Sequence, residues 1–221
     1  MSESLRHRLA LGLWISLACT FSICLVLYRM ERTGTIYFSF LLWNLLLALI
    51  PIVFSTLAWV VSRSRWKLFA LLFLLPWLLF FPNAPYILTD LLHLKSRVAM
   101  PLWYDMVMLL SFGLNGLFLG YISLVMVESV LERLFNRAFA VTGSLVFTFA
   151  AAYGIYLGRY HRMNSWDVWT DPLSIAHQIL DPLLHPLAHA RVWAITFLLG
   201  FMIYMGYRLV RELGARPRAA I

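Results

Sequence analysis

The residues best equipped for chemistry fall in two stretches. The first is Phe80-Phe81-Pro82-Asn83-Ala84-Pro85-Tyr86-Ile87-Leu88-Thr89-Asp90, followed closely by His93. It places an amide, a phenol, a carboxylate and an imidazole next to a run of hydrocarbon. Asp90 and His93 are three apart and share a face if the segment is helical. Such a pair suits a general base held by its neighbour, or two metal ligands. The plainer alternative is a carboxylate neutralising a nearby loop arginine beside a solvated imidazole. Pro82 stops one helix, and Pro85 starts another from an extended Ala84, with Asn83 as its cap and Tyr86 in its first turn. A helix start of this kind also turns amide N–H groups toward an anion.

The second stretch is Gly158-Arg159-Tyr160-His161-Arg162-Met163-Asn164-Ser165-Trp166-Asp167-Val168-Trp169. A guanidinium binds carboxylate or phosphate through a rigid fork of donors, so Arg159 and Arg162, three apart, suit one headgroup or phosphate between them. Ordinary boundary architecture explains arginines that snorkel and tryptophans that anchor. Asn164 and Asp167 exceed what anchoring needs. Asp105, after Trp103-Tyr104, stands at the mouth of another apolar run. Asn115 lies about ten residues deeper, between Gly113, Gly116 and Gly120, and reads as glue between closely approaching helices. Gly154 and Gly158 offer a similar face one run later, which predicts direct contact between these two runs. His177, Asp181, His185 and His189 recur every four residues, a spacing that on one helix would suit zinc. Pro182 and Pro186 interrupt that helix, so no metal is expected, and nothing calls for a cofactor. Nucleotide loops, paired-histidine protease helices, Gly-x-Ser-x-Gly elbows and Cys-x-x-Cys pairs are absent from the sequence.

The elements that carry these residues must be membrane helices. Of 221 residues, 62% are hydrophobic and 13% charged, against about 45–50% and about 25% in soluble proteins. The mean hydropathy is +0.80. A soluble domain of this length has no way to hide so much apolar surface. The net charge of +8 resides in short loops rather than on a basic, aromatic-interleaved face, which argues against nucleic acid as a partner. Cys19 and Cys24 point to different faces of one helix and read as packing residues. The N-terminal Arg6-His7-Arg8 has the charge order of a signal peptide. Its apolar run continues to Tyr28 without a small-residue cleavage pattern, so a retained span is expected.

Six apolar runs follow one another: about Leu9 to Tyr28, Ile36 to Val61, Leu68 to Leu88, Tyr104 to Val127, Ala138 to Leu157 and Val192 to Val210. The uninterrupted part of the third, Leu68 to Phe81, reaches only about 21 Å at 1.5 Å per residue, short of a hydrocarbon core of about 30 Å. It must borrow Pro82–Leu88 or stop short, and either way non-helical backbone is expected near membrane depth. Lys and Arg number eleven on the side of both termini and seven on the other. That bias places both termini in the cytoplasm and the two polar stretches on the outer face. Prolines 172, 182 and 186 divide Pro172–Ala190 into one or two short interfacial helices, with Trp166, Trp169 and Trp193 at headgroup level. Residues 1–221 read as a single integral membrane domain.

The segment Phe81-Pro82-Asn83-Ala84-Pro85-Tyr86-Ile87-Leu88-Thr89-Asp90-Leu91-Leu92-His93-Leu94, then Trp103-Tyr104-Asp105, then Gly158-Arg159 with Arg162 and Asn164-Ser165-Trp166-Asp167, resembles a family of bacterial multi-pass membrane proteins catalogued as a domain of unknown function. The resemblance covers about residues 40 to 210. It implies a bacterial integral membrane protein and carries no activity, substrate or cofactor with it.

The expected architecture is an all-α polytopic bundle of six spans, the third broken at Pro-Asn-Ala-Pro. Asn83, Tyr86, Asp90, His93, Asp105, Arg159, Arg162, Asn164 and Asp167 are expected to meet in one polar pocket at the outer boundary of the cell membrane, in contact with membrane lipids. The favoured function is binding or transport of an anionic small molecule or lipid headgroup. An enzyme acting on a lipid-linked substrate, with Asp90 and His93 as its catalytic pair and the arginines stabilising negative charge, is the alternative. A subunit of a larger membrane complex is the third reading.

Overall fold

The computed structural model describes residues 3–96, 99–161, 163 and 167–214, and among them regular structure is helical, with no strands. The helices are α1 (Glu3–Thr33), α2 (Phe40–Val61), α3 (Ala70–Phe80), α4 (Asn83–Tyr86), α5 (Leu102–Leu134), α6 (Arg137–Tyr156), α7 (Asp167–Thr170), α8 (Pro172–Leu184) and α9 (Ala190–Gly214). Tight 3-10 turns cover Lys67–Phe69 and Ile87–His93, and a wide π-turn covers Leu157–His161. Six segments are long and apolar enough to cross a membrane: Leu9–Thr33, Phe40–Val61, Lys67–His93, Leu102–Leu134, Arg137–His161 and Ala190–Gly214. The chain is therefore a multi-pass helical membrane protein.

Helix α1 shows how such a chain sorts its side chains. Leu9, Leu13, Trp14, Leu17, Phe21 and Leu27 are exposed, while Ser22, Val26 and Arg29 are buried. The buried residues recur every three or four positions and form one narrow stripe. Lipid solvates the leucines, so the face that packs on protein is the small and polar one. Cys19 and Cys24 are free thiols, half-buried and exposed respectively.

The third span, Lys67–His93, breaks at Phe81–Pro82, where the Pro-Asn-Ala-Pro segment suggested, and continues in short helical turns rather than extended backbone. After a turn at Phe81–Pro82, α4 and the 3-10 turn carry the chain onward. Asn83 is the first residue of α4 rather than the residue before it, and Ala84 is helical rather than extended. Pro85 lies in the first turn, where its missing N–H leaves no bond unmade. Close packing holds Ala84 there: a β-carbon on Gly116 would overlap the Ala84 carbonyl oxygen and stand 3.0 Å from Ile87 Cδ1.

The chain divides into two compact units. One comprises Met1–Leu49 and Asn83–Gly120, the other Ile50–Pro82 and Tyr121–Ile221. In the first, α1 and α5 join through a polar ladder. Asn115 Nδ2 donates to Ala18 O at 3.0 Å and to Ser22 Oγ at 2.8 Å, and Ser22 Oγ donates to Ser111 Oγ at 2.8 Å. Tyr104 Oη donates to Leu25 O at 2.9 Å. Asn115 thus serves as interhelical glue, as its setting among glycines suggested. In the second unit, Trp77 packs on Phe81 and Phe147 with ring centres 4.6 and 5.2 Å apart, and its Nε1 donates to Ser123 Oγ at 3.3 Å. A β-carbon on Gly154 would stand 2.9 Å from Pro82 Cγ, so this glycine accommodates the proline of the third span, not α5. Helices α5 and α6 meet elsewhere, at Leu131 against Gly143.

Helix α8 is one short helix in the Pro172–Ala190 stretch, running from Pro172 through Pro182 to Leu184. Pro172 occupies the first turn behind Asp171, whose carboxylate accepts from Ser174 N at 3.2 Å. Such a capped proline start is favourable. Pro182 lies inside the helix, two residues before its end. Trp193 clamps this end: its Nε1 donates to Pro182 O at 3.1 Å, and its ring stacks on Tyr153 at 5.9 Å.

Candidate functional site

The α1–α5 ladder ends in a buried ion pair. Arg29 Nε donates to Asp105 Oδ1 at 2.6 Å and Arg29 Nη2 to Asp105 Oδ2 at 3.1 Å. Arg29 is 2% exposed and Asp105 1%. Asp105 therefore does not stand open at a mouth, because a two-pronged guanidinium contact occupies both its oxygens. The face of the guanidinium lies on Phe38, its Cζ 4.3 Å from the ring centre. Phe38 is itself fully buried in the turn between α1 and α2. Arg29 Nη1 is also buried, yet it has no hydrogen-bond partner among the described residues. Leaving a buried donor unmade costs about 1–3 kcal/mol, more on a charged group. The pair is thus strongly built on one edge and incomplete on the other.

From Phe38 the contacts continue to the second aspartate. The Phe38 and Phe40 rings lie 5.9 Å apart, and Phe40 and His93 lie 5.1 Å apart. His93 Nδ1 stands 3.2 Å from Asp90 O and 3.8 Å from Asp90 Oδ1. Asp90 is buried at the start of its 3-10 turn's second half, and its Oδ2 accepts from Asn44 Nδ2 at 2.9 Å. One partner of Asp90 is thus an amide of α2. His93, 33% exposed on its side chain, is the solvent-facing member of the group. Arg29, Asp105, Asp90, His93 and Asn44 form one contiguous assembly, joined by two phenylalanines. Asn83 and Tyr86 are half-buried in the same unit, and Thr89 Oγ1 donates to Tyr86 O at 2.7 Å.

The other expected site residues belong to the second unit or lie outside the description. Arg159 is half-buried in the π-turn at the end of α6, and Asp167 opens α7. Arg162, Asn164, Ser165 and Trp166 lie outside the described residues, as does the side chain of Trp169. Around this turn, Tyr160 stacks on Tyr156 at 4.9 Å and takes the Arg191 guanidinium on its face at 4.8 Å.

Sequence reasoning missed Arg29, Asn44 and the two linking phenylalanines. One signal was present. A carboxylate at the head of an apolar run needs a cation at equal depth, and Arg29 closes the first run at the same end. A second buried carboxylate, Glu128 on α5, was also missed. It accepts from the Tyr207 hydroxyl and from Arg211 Nη2 at 3.0 Å, both on α9.

The histidine-rich connection is better organised than its prolines suggested. Because α8 continues through Pro182, Asp181 reaches His185 one turn on, with Oδ1 3.1 Å from His185 Nδ1. Its Oδ2 lies 2.8 Å from His189 Nε2. The hydrogen bond from His185, aided by His189, holds the Asp181 carboxyl below its ordinary range. The two imidazoles address different oxygens, and among the described residues no three His, Cys, Asp or Glu groups are placed to hold a metal ion.

A family model described as Protein of unknown function (DUF1361) matches residues 43–205. The chain belongs to this family. The DUF1361 match opens just before Asn44 and closes inside α9, so it takes in Asn44, Asp90, His93 and Asp105 and leaves Arg29 ahead of it. No curated protein matches the chain, and no solved structure does.

Proposed function

We propose that this protein resides in a bacterial cell membrane as a single integral domain with both termini in the cytoplasm. There it binds or transports an anionic small molecule or lipid headgroup at its outer face, with membrane lipids as its constant partners. The observation that supports the reading is Arg29 Nη1: a buried guanidinium donor, held rigid by Asp105 and Phe38, with no acceptor among the described residues. An oxyanion is the acceptor that such a fork suits best. Asp105 neutralises the arginine in the unliganded state, so the site is not a bare charge in a low-dielectric surrounding. The bound group enters past Phe38 and the half-exposed His93 and meets Nη1 with an oxygen.

Thermal unfolding in mild detergent tests this. Phosphatidylglycerol at about 100 times its dissociation constant stabilises the folded state by about 2.7 kcal/mol, whereas zwitterionic phosphatidylcholine does not. Inorganic phosphate distinguishes a free anion from a headgroup. Arg29→Lys keeps the charge beside Asp105 but lacks the planar fork, and it loses the shift. If neither phosphatidylglycerol nor phosphate moves the wild-type midpoint, the reading fails.

The enzyme reading has one observation in its favour: the buried Asp90 carboxylate lies beside a half-exposed imidazole. Asp90→Asn abolishes turnover of a lipid-linked substrate if that reading holds, and leaves anion binding in place if it does not.

A further inference from the structure

The corner between α8 and α9 holds a carboxylate between two imidazoles at opposite ends of two helices. Asp181 takes His185 on Oδ1 at 3.1 Å and His189 on Oδ2 at 2.8 Å. His185 follows the last residue of α8, and its backbone N–H also bonds to Asp181 O at 2.9 Å. His189 immediately precedes α9, and its carbonyl accepts from Val192 N at 2.9 Å. The two rings therefore stand in opposite helix fields. A cation is favoured at a helix C-terminus and disfavoured at an N-terminus.

We infer that Asp181, His185 and His189 form a proton-operated latch that fastens the end of α8 to the start of α9, with His185 as its proton-sensing member. An imidazole changes charge between pH 5 and 8. With both rings neutral the cluster carries the single negative charge of Asp181. A proton on His185 cancels it, makes the contact charge-assisted and sits well in the field of the α8 C-terminus. His189 stands at the α9 N-terminus, whose field disfavours a positive charge. Among the described residues, the other titratable groups that face this end of α8 are Tyr153 of α6, whose hydroxyl donates to Ile179 O at 2.7 Å, and His161, 3.2 Å from Gln178 Oε1. The hydrogen-bond partners given for the carboxylate are its two imidazoles.

Hydrogen exchange of the full chain in lipid nanodiscs tests the inference on peptides covering residues 176–195, at pH 8 and pH 6, corrected for chemical exchange. Wild-type protection rises about two- to five-fold on acidification, the range of an exposed ion pair. Asp181→Asn and His185→Gln abolish the rise. His189→Gln lowers protection at both pH values but keeps the rise, and peptides from α1 confirm that each variant remains folded. The latch is overturned if wild-type protection is the same at both values, or if Asp181→Asn responds as wild type does. A rise kept by His185→Gln and lost in His189→Gln overturns the assignment of the sensor.

Discussion

Each unit of this protein buries one carboxylate against an arginine, and the two arrangements differ in what they leave over. Glu128 shares its oxygens between Arg211 and the Tyr207 hydroxyl, and Arg211 keeps its side chain 26% exposed. Asp105 gives both oxygens to Arg29, which is buried with Nη1 lacking a hydrogen-bond partner among the described residues. The first arrangement is a finished clamp between α5 and α9. The second ties α1 to α5 and retains donor capacity. A chain that needed only to fasten helices had the finished version available, so the unfinished one marks where recognition is to be sought.

The largest expected effect breaks the comparison at its base. Asp105→Ala leaves Arg29 as an uncompensated buried charge, and losing one partner of such a pair costs about 3–5 kcal/mol. Glu128→Ala costs less, about 1–3 kcal/mol, because Arg211 can turn to solvent. Thermal unfolding of both variants in one detergent checks the order, and equal losses remove the asymmetry. Next comes Gly116→Ala, which forces a methyl group against the Ala84 carbonyl. Overpacking of this kind costs about 1–3 kcal/mol, whereas Gly12→Ala meets open space and changes little. Tyr207→Phe sharpens the contrast further: Glu128 Oε2 loses its donor, for about 1 kcal/mol. Anion binding at Arg29 is unaffected.

The smallest effect concerns pH. The Asp181 carboxyl is held below its ordinary range, first by the hydrogen bond from His185. A depressed carboxyl contributes stability above its unfolded value, about 3.9, and loses it as pH falls through the lower folded value. Asp181→Asn therefore unfolds about one degree earlier than wild type at neutral pH. The difference vanishes once acid protonates the folded carboxyl, as a pair of melting curves at pH 7 and pH 3 checks.

The six spans were legible because hydropathy and length decide them without reference to any partner. Asn115 was legible for a related reason, since an amide among glycines in an apolar helix has few other uses. The site was less so. Arg29 counts in sequence as one more loop cation, and its bond to Asp105 joins residues 76 apart. Asn44 and Asp90 are 46 apart. Local spacing carries no trace of such pairs; only the packing of α1 and α2 against the later helices creates them. Pro182 misled in the other direction: it read as a break, yet α8 continues for two residues past it.

Native mass spectrometry from mild detergent tests the central claim most directly, comparing wild type with Arg29→Lys and with Arg211→Lys as the matched control in the finished clamp. The account predicts that wild type and Arg211→Lys retain a bound anionic lipid or solute that Arg29→Lys has lost. Wild-type protein that flies folded and bare, or an adduct that all three proteins share equally, would contradict it.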